Sequence, residues 1–267
     1  GNICSTIMLQ SLLSGFPEFD LTHPGGDLRS LDREFAEQVW LFWYLPLDST
    51  VATIGGNIGT HCIFIEKIVL NPKDNLCVEP NPAMVPALEQ NMKTHGSQFT
   101  MLNMILARPP IGDVGFMQKG IAARLAEPGE VPSSYVSSVD RDMSKFTAYS
   151  IDCEGCYCSL FQSFTEILQA EFILVEADAR NDKGRALGSC DYDWQALLRE
   201  HGFIQTGGTD FHQVWMKHAP YFTFFRQVAA HMFMFANMHT AKEMNRALPE
   251  SLKLGLAEGL QTTFLLL

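Results

Sequence analysis

Residues 51–65 read VATIGGNIGTHCIFI. The apolar run Val51 to Ile54 has the length and β-branched content of a buried strand. Gly55, Gly56 and Gly59 then mark a turn, and Thr60 to Leu70 has the spacing of a helix. A second strand, Asn75 to Val78, ends on Glu79. Strand, glycine turn, helix and strand in this order predict the first half of a nucleoside-binding α/β fold.

The loop chemistry narrows the ligand. Gly55 and Gly56 are expected to permit positive φ and close backbone approach, and Gly59 to let the helix start pack on the strand. The helix start offers free N–H groups to an anionic part of a ligand. Glu79 lies about twenty residues beyond Gly59, the interval at which a carboxylate on the second strand accepts ribose hydroxyls. The dinucleotide pattern G-x-G-x-x-G is broken, because its third position is Asn57 and its sixth is Thr60. That counts against NAD and against a nucleotide-dependent oxidoreductase.

Three short motifs extend the reading: Gly55, Asn57, Ile58, Gly59, Thr60 and His61; then Glu79, Pro80, Asn81 and Pro82; then Asp152, Cys153, Glu154 and Gly155. In order and spacing they resemble the S-adenosylmethionine-dependent methyltransferases of the FkbM type. Those enzymes have a loop of roughly D-x-G-A-N-x-G-T-H/Y, a second strand ending E-P-N-P, and a D-V-E-G element. The resemblance covers roughly Asp48 to Trp215. It implies an α/β fold with a doubly wound, mostly parallel, Rossmann-like sheet and a terminal antiparallel hairpin. It also implies S-adenosylmethionine as cofactor, held by Thr53, Gly55, Asn57, Gly59, His61, Glu79 and Pro80. Two positions depart from the family: Gly56 replaces an alanine, and Thr53 stands where an acid helps hold the methionine end. A threonine hydroxyl can hydrogen-bond but cannot neutralise an ammonium group. A rival reading is therefore a non-catalytic module that keeps the fold without donor binding or turnover.

Methyl transfer needs an acceptor atom held in line and its proton removed. Asp152 and Glu154, after the fourth strand, are the expected catalytic base and orienter, although Glu154 could instead cap the next helix. Glu176 and Asp178 are expected at the site rim, and His212, beside Asp210, is a second base candidate; Glu176 and His212 are assigned to the substrate. The oxygen-rich set Asp152, Glu176 and Asp178 suits Mg²⁺ or Ca²⁺, but solvated carboxylates are the simpler reading and no metal is assigned. The reaction this implies is O-methylation of a small-molecule or saccharide-like hydroxyl.

Composition bounds the rest. A chain of 267 residues, 46% hydrophobic and 18% charged, supports a sizeable core and excludes wholesale disorder. The expected division is an N-terminal helical extension (1–47), a methyltransferase-like core (48–218) and a C-terminal helical extension (219–267). A net charge of −11 argues against binding nucleic acid through its phosphates and favours a small-molecule substrate. The seven cysteines are odd in number and sit mostly in apolar runs, which predicts free buried thiols in a reducing compartment and a cytoplasmic location. Cys153, Cys156 and Cys158 are likewise read as core thiols rather than a zinc site. No uninterrupted span of about 18 apolar residues occurs, since Arg226 and His231 break Tyr221 to Met238, and no secretory signal is evident. The start on Gly1 is consistent with excision from a longer protein.

Along the chain, residues 1–30 read as a short helix and a loop, and Leu31 to Leu45 as a helix with apolar positions at Phe35, Val39, Trp40, Phe42 and Trp43. Its aromatic cluster is expected to pack in the core. After Glu79 a helix runs to His95, with Pro82 in its first turn. Gln98 to Leu106 is the expected third strand. Residues 108–138, rich in Pro and Gly, predict an irregular insertion with one short strand near Val114 to Met117. Phe146 to Ile151, the helix Cys156 to Gln169, and Glu171 to Ala177 continue the βαβ pattern. A helix at Asp193 to His201 and a hairpin of Phe203 to Thr206 with Gln213 to Met216 close it. Tyr221 to Leu267 reads as two helices parted at Pro249.

Overall fold

The computed structural model describes residues 37–217 except 39, 43, 110–112, 120–121, 126–131, 154, 178–189 and 210. All of them fall within one compact unit. The expectations for residues 1–30, for Glu154, Asp178 and Asp210, and for the tail lie outside the described residues.

The elements that build the site are β1 (Val51–Ile54), α1 (Thr60–Ile68), β2 (Leu76–Val78), α2 (Val85–His95) and β3 (Thr100–Leu102). They are followed by β4 (Ile105–Leu106), β5 (Asp113–Lys119), β6 (Ala122–Leu125), β7 (Ser134–Val139) and β8 (Ala148–Ile151). The last group is α3 (Tyr157–Ser163), β9 (Phe172–Glu176), α4 (Trp194–Glu200), β10 (Ile204–Gly208) and β11 (His212–Met216). The main sheet has seven strands in the order β10-β11-β9-β8-β1-β2-β3. Strands β3, β2, β1, β8 and β9 are parallel, while β11 runs antiparallel to β9 and to β10. This is a doubly wound, Rossmann-like α/β sheet closed by an antiparallel hairpin, and the fold class expected from the sequence holds.

Burial explains the strand sequences. All four residues of β1 and of β8 are buried, as are the first four of β9, so these central strands read as mostly apolar runs rather than alternating ones, with Thr53 and Ser150 as buried polar members. Tyr149, Phe161, Phe164 and Trp215 fill the core on one side, with Trp194 packed edge-on against Trp215. Asp193 caps α4 by accepting a hydrogen bond from the Ala196 amide. The helical segment at 37–44 belongs to this core: Leu41 and Leu45 are completely buried, and Trp40 and Tyr44 lie over Gly207 of β10.

Several local expectations need correction. The third strand is split, with β3 in the main sheet and β4 in a second sheet of order β4-β7-β5-β6. The insertion is therefore not irregular but a small, largely antiparallel sheet, with β5 pairing both β6 and β7. The strand expected near Val114 to Met117 lies within β5, whereas β7 is hidden from sequence patterning because it shows no regular burial alternation and Tyr135 is exposed. The expected long helix after Asp152 is shorter: α3 stops at Ser163 and a 3-10 turn, Thr165–Gln169, replaces its last turns. Pro86, not Pro82, occupies the first turn of α2.

The cysteine expectation is overturned. Cys62 is bonded to Cys77, Cys153 to Cys156 and Cys158 to Cys190. Thiols in apolar runs look like core residues in a sequence, yet α1 and β2 bring two of those runs face to face. The ground for expecting a reducing compartment falls with it. No helix among the described residues is long and apolar enough to cross a membrane.

Candidate functional site

Strand order fixes where a site can form. The chain leaves β1 toward one edge of the sheet and returns at β8 to build the other, so the switch point lies between β1 and β8. Open α/β sheets bind ligands outside the carboxyl ends of strands at such a point. Gly55 follows β1 and Asp152 follows β8, and the Asp152 amide donates to the Ile54 carbonyl at 2.9 Å.

The turn after β1 is built around backbone that only glycine tolerates. Gly55 has φ +91°, and a Cβ there would overlap the Asp152 carbonyl oxygen. Gly59, with φ +98°, is the N-cap of α1, and its missing side chain leaves room for Leu88 of α2 rather than for the strand. Gly56 differs from expectation: it does not have positive φ, and its side chain is excluded by the Cys77 sulfur of the Cys62–Cys77 bridge. Asn57 takes the left-handed conformation, φ +47°, which asparagine tolerates better than most residues. Gly59 supplies no side-chain cap, so the first-turn amides of α1 are left to other partners.

Glu79 ties the two halves of this loop together. Its Oε2 accepts from the Asn57 amide and its Oε1 from the Asn81 amide, both at 2.6 Å. The Gly55 and Gly56 amides both donate to the Val78 carbonyl at 2.9 Å, drawing the turn onto the end of β2. Burial raises the Glu79 carboxyl above the ordinary carboxylate range, against the pull of the Asn81 and Asn57 amides. Pro80 lies beside it, and Asn81 accepts from the Ala83 amide to hold the following turn. Asn57 Oδ1 is buried with no hydrogen-bond partner. A held carboxylate and a buried, unsatisfied acceptor fit a ligand that presents hydrogen-bond donors.

On the other flank, His212 at the start of β11 stands directly across from Glu176 at the end of β9. Antiparallel pairing puts the beginning of one strand beside the end of the other, which is how two residues distant in sequence share one rim. His212 Nε2 lies 3.5 Å from Glu176 and 2.5 Å from Glu37. Burial alone would lower the pKa of His212, but hydrogen bonds and charge from Glu176 and Glu37 push it up to about 9. For Glu176, burial raises the carboxyl, but contacts with His212, Asp152 and His61 outweigh it and lower its pKa. His61, in the first turn of α1, is buried, with Nε2 at 2.7 Å from Glu37. Thr53 is buried within β1, one residue short of its end, in register with Cys77 and Ser150.

The structure thus brings Gly55, Asn57 and Gly59 of the turn after β1 together with Glu79 and Pro80 of the turn after β2, and His61, Asp152, Glu176 and His212 into one cluster. Three participants went unnoticed in the sequence. Asn91 is fully buried in α2 and donates to the Ile58 carbonyl at 2.8 Å, bracing the loop. Asn103 donates to the Glu79 carbonyl at 2.7 Å. Glu37 is the third, and a signal for it existed. Glu37, Leu41 and Leu45 form an i, i+4, i+8 stripe whose two leucines are entirely buried, so the glutamate lies on the core face.

No family model matches the chain, and no curated protein matches it. Among solved structures it is similar to precorrin-6y C5,15-methyltransferase from Geobacter metallireducens, with 12% identity, 75% of this chain and 93% of that one covered, and a TM-score of 0.39. It is similar to a SAM-dependent methyltransferase from Aquifex aeolicus, with 13% identity, coverage of 71% and 93%, and a TM-score of 0.40. An rRNA methylase from Streptococcus thermophilus aligns with 9% identity, coverage of 68% and 95%, and a TM-score of 0.37. Similarity at this level adds no weight; the fold class rests on strand order and on the antiparallel strand β11.

Proposed function

We propose that the chain is an S-adenosylmethionine-dependent methyltransferase of the FkbM kind, acting on a hydroxyl of a small-molecule or saccharide-like acceptor. The observation that carries this reading is Glu79. It is a buried carboxylate at the end of β2, fixed by the Asn57 and Asn81 amides at 2.6 Å and set against the left-handed turn after β1. Each of its oxygens retains a lone pair for a ribose hydroxyl. Asn57 Oδ1, buried and without a hydrogen-bond partner, leaves an acceptor for a donor on the bound ligand.

When bound, the sulfonium supplies an electrophilic methyl carbon. Asp152, at the switch point, would hold the acceptor hydroxyl and take up its proton. Glu176 and His212 orient the acceptor from the rim. The second reading is a module that has lost donor binding, favoured by Thr53, whose buried hydroxyl brings no charge to the site.

Titration calorimetry of the purified chain with S-adenosylmethionine and S-adenosylhomocysteine, with NAD as control, separates the two. Micromolar binding of both sulfur nucleosides and none of NAD supports the transferase. Absence of binding to all three ends that reading in favour of the module.

A further inference from the structure

Five side chains converge from five places in the chain: Glu37 from the N-terminal helical segment, His61 from α1, Asp152 after β8, Glu176 from β9 and His212 from β11. One ligand atom from each of Glu37, His61 and Asp152 lies within 4.8 Å of the others, and the same holds for Glu37, Glu176 and His212. Glu37 belongs to both groups. One of its oxygens is 2.7 Å from His61 Nε2 and the other 2.5 Å from His212 Nε2.

The His61 contact is not that of an ordinary ion pair. Glu37 Oε2 and His61 Nε2 are both buried, and the two side chains are each 4% exposed. Despite the 2.7 Å separation neither atom has a hydrogen-bond partner. Two ligands of one ion stand in this way. Their lone pairs aim at a shared centre and, with bonds near 2.1 Å, the atoms themselves sit about 3 Å apart. Charge points the same way: three carboxylates face two imidazoles in a largely buried cluster, and buried charge must be paired or coordinated.

We propose that Glu37, His61, Asp152, Glu176 and His212 form a site for a divalent first-row transition-metal ion. Two imidazole nitrogens among carboxylate oxygens select ions such as Zn²⁺, Mn²⁺, Fe²⁺ or Co²⁺ over Mg²⁺ and Ca²⁺, which prefer all-oxygen shells. Metal binding by this set does not require methyl transfer, although Asp152, Glu176 and His212 are shared with the proposed acceptor site. On that reading, the ion would also polarise an acceptor oxygen beside Asp152.

The test uses the full disulfide-bonded chain, stripped with a chelator and titrated with Co²⁺ while its visible d–d absorption and thermal midpoint are followed. Saturable binding that raises the midpoint, is displaced by Zn²⁺ and resists excess Mg²⁺ is expected. His61→Gln and His212→Gln should each weaken Co²⁺ binding about tenfold or more, in line with the cost of disturbing a metal shell, whereas His201→Gln, at the exposed end of α4, should not. A folded wild-type chain with no saturable Co²⁺ spectrum, or histidine variants that bind as wild type, would overturn the site. Should those variants misfold, pulsed electron paramagnetic resonance of the Mn²⁺-loaded wild type decides: histidine nitrogen couplings support the site, and an all-oxygen shell refutes it. Parallel titration with S-adenosylmethionine keeps the proposals apart, since donor binding without metal binding refutes only the metal site, and metal binding without donor binding refutes only the transferase.

Discussion

Glu79 has two roles that pull in opposite directions. Its amide contacts hold the glycine turn in place, and its burial makes the charged form costly. Glu79→Ala is expected to weaken S-adenosylmethionine binding by about 1–3 kcal/mol through loss of charge-assisted hydrogen bonds. Calorimetry checks this, and an unchanged affinity removes the ribose assignment. The raised pKa sets the pH dependence. Donor binding should fall off on acidification at a pH above the ordinary 4.5 of a glutamate, as Glu79 takes up a proton. Its contribution to stability has the opposite sense: a carboxyl raised in the folded state favours folding below its unfolded pKa, and that contribution is lost as pH rises through the folded value. A binding profile flat down to pH 4.5 would show that Glu79 is not the group being read. Asp152→Asn keeps shape but removes the base. Turnover should fall by a factor of about 10²–10⁴, with donor affinity little changed; full activity would dismiss Asp152 as base.

Among the elements, the pairing of α1 with β2 is the least expected feature. The Cys62–Cys77 bridge spans 15 residues of sequence and lies directly beneath Gly56. A closed loop of that length restricts the unfolded chain enough to favour folding by about 3 kcal/mol. The Cys62→Ala, Cys77→Ala double variant should therefore lose stability of roughly that amount and unfold at lower denaturant, and an unchanged midpoint would show that the bridge contributes nothing. Its place under the loop adds a functional expectation: donor affinity should drop along with stability, because Gly56 loses the sulfur it packs against. Sequence patterning recovered β1, β2, β8, β9 and β11, since their buried residues demand apolar runs, while exposed β10 was legible as the partner of β11. It placed the strand Val114 to Met117, which lies within β5, but missed β6, β7 and their pairing. Glu37 was missed because a carboxylate on a helix reads as solvated unless its stripe with Leu41 and Leu45 is traced.

For the whole molecule, an excess of acidic over basic residues, 30 against 19, sets its behaviour toward polyanions. Affinity for nucleic acid comes mainly from clustered cations that release counterions. Filter binding with structured RNA at physiological salt is therefore expected to show no saturable complex; a tight, salt-sensitive one would move the acceptor from a small molecule to RNA. The sequence by itself determined the parallel core, the glycine turn and the carboxylate that follows it. Those depend on local backbone conformation and on short apolar runs, which few residues can supply. Only the tertiary structure decided which cysteines bond and that Glu37, His61, Asp152, Glu176 and His212 meet. Apart from the short Cys153–Cys156 bridge, those contacts join residues of different elements, and their distances follow from strand order and pairing direction, which no single stretch of sequence encodes.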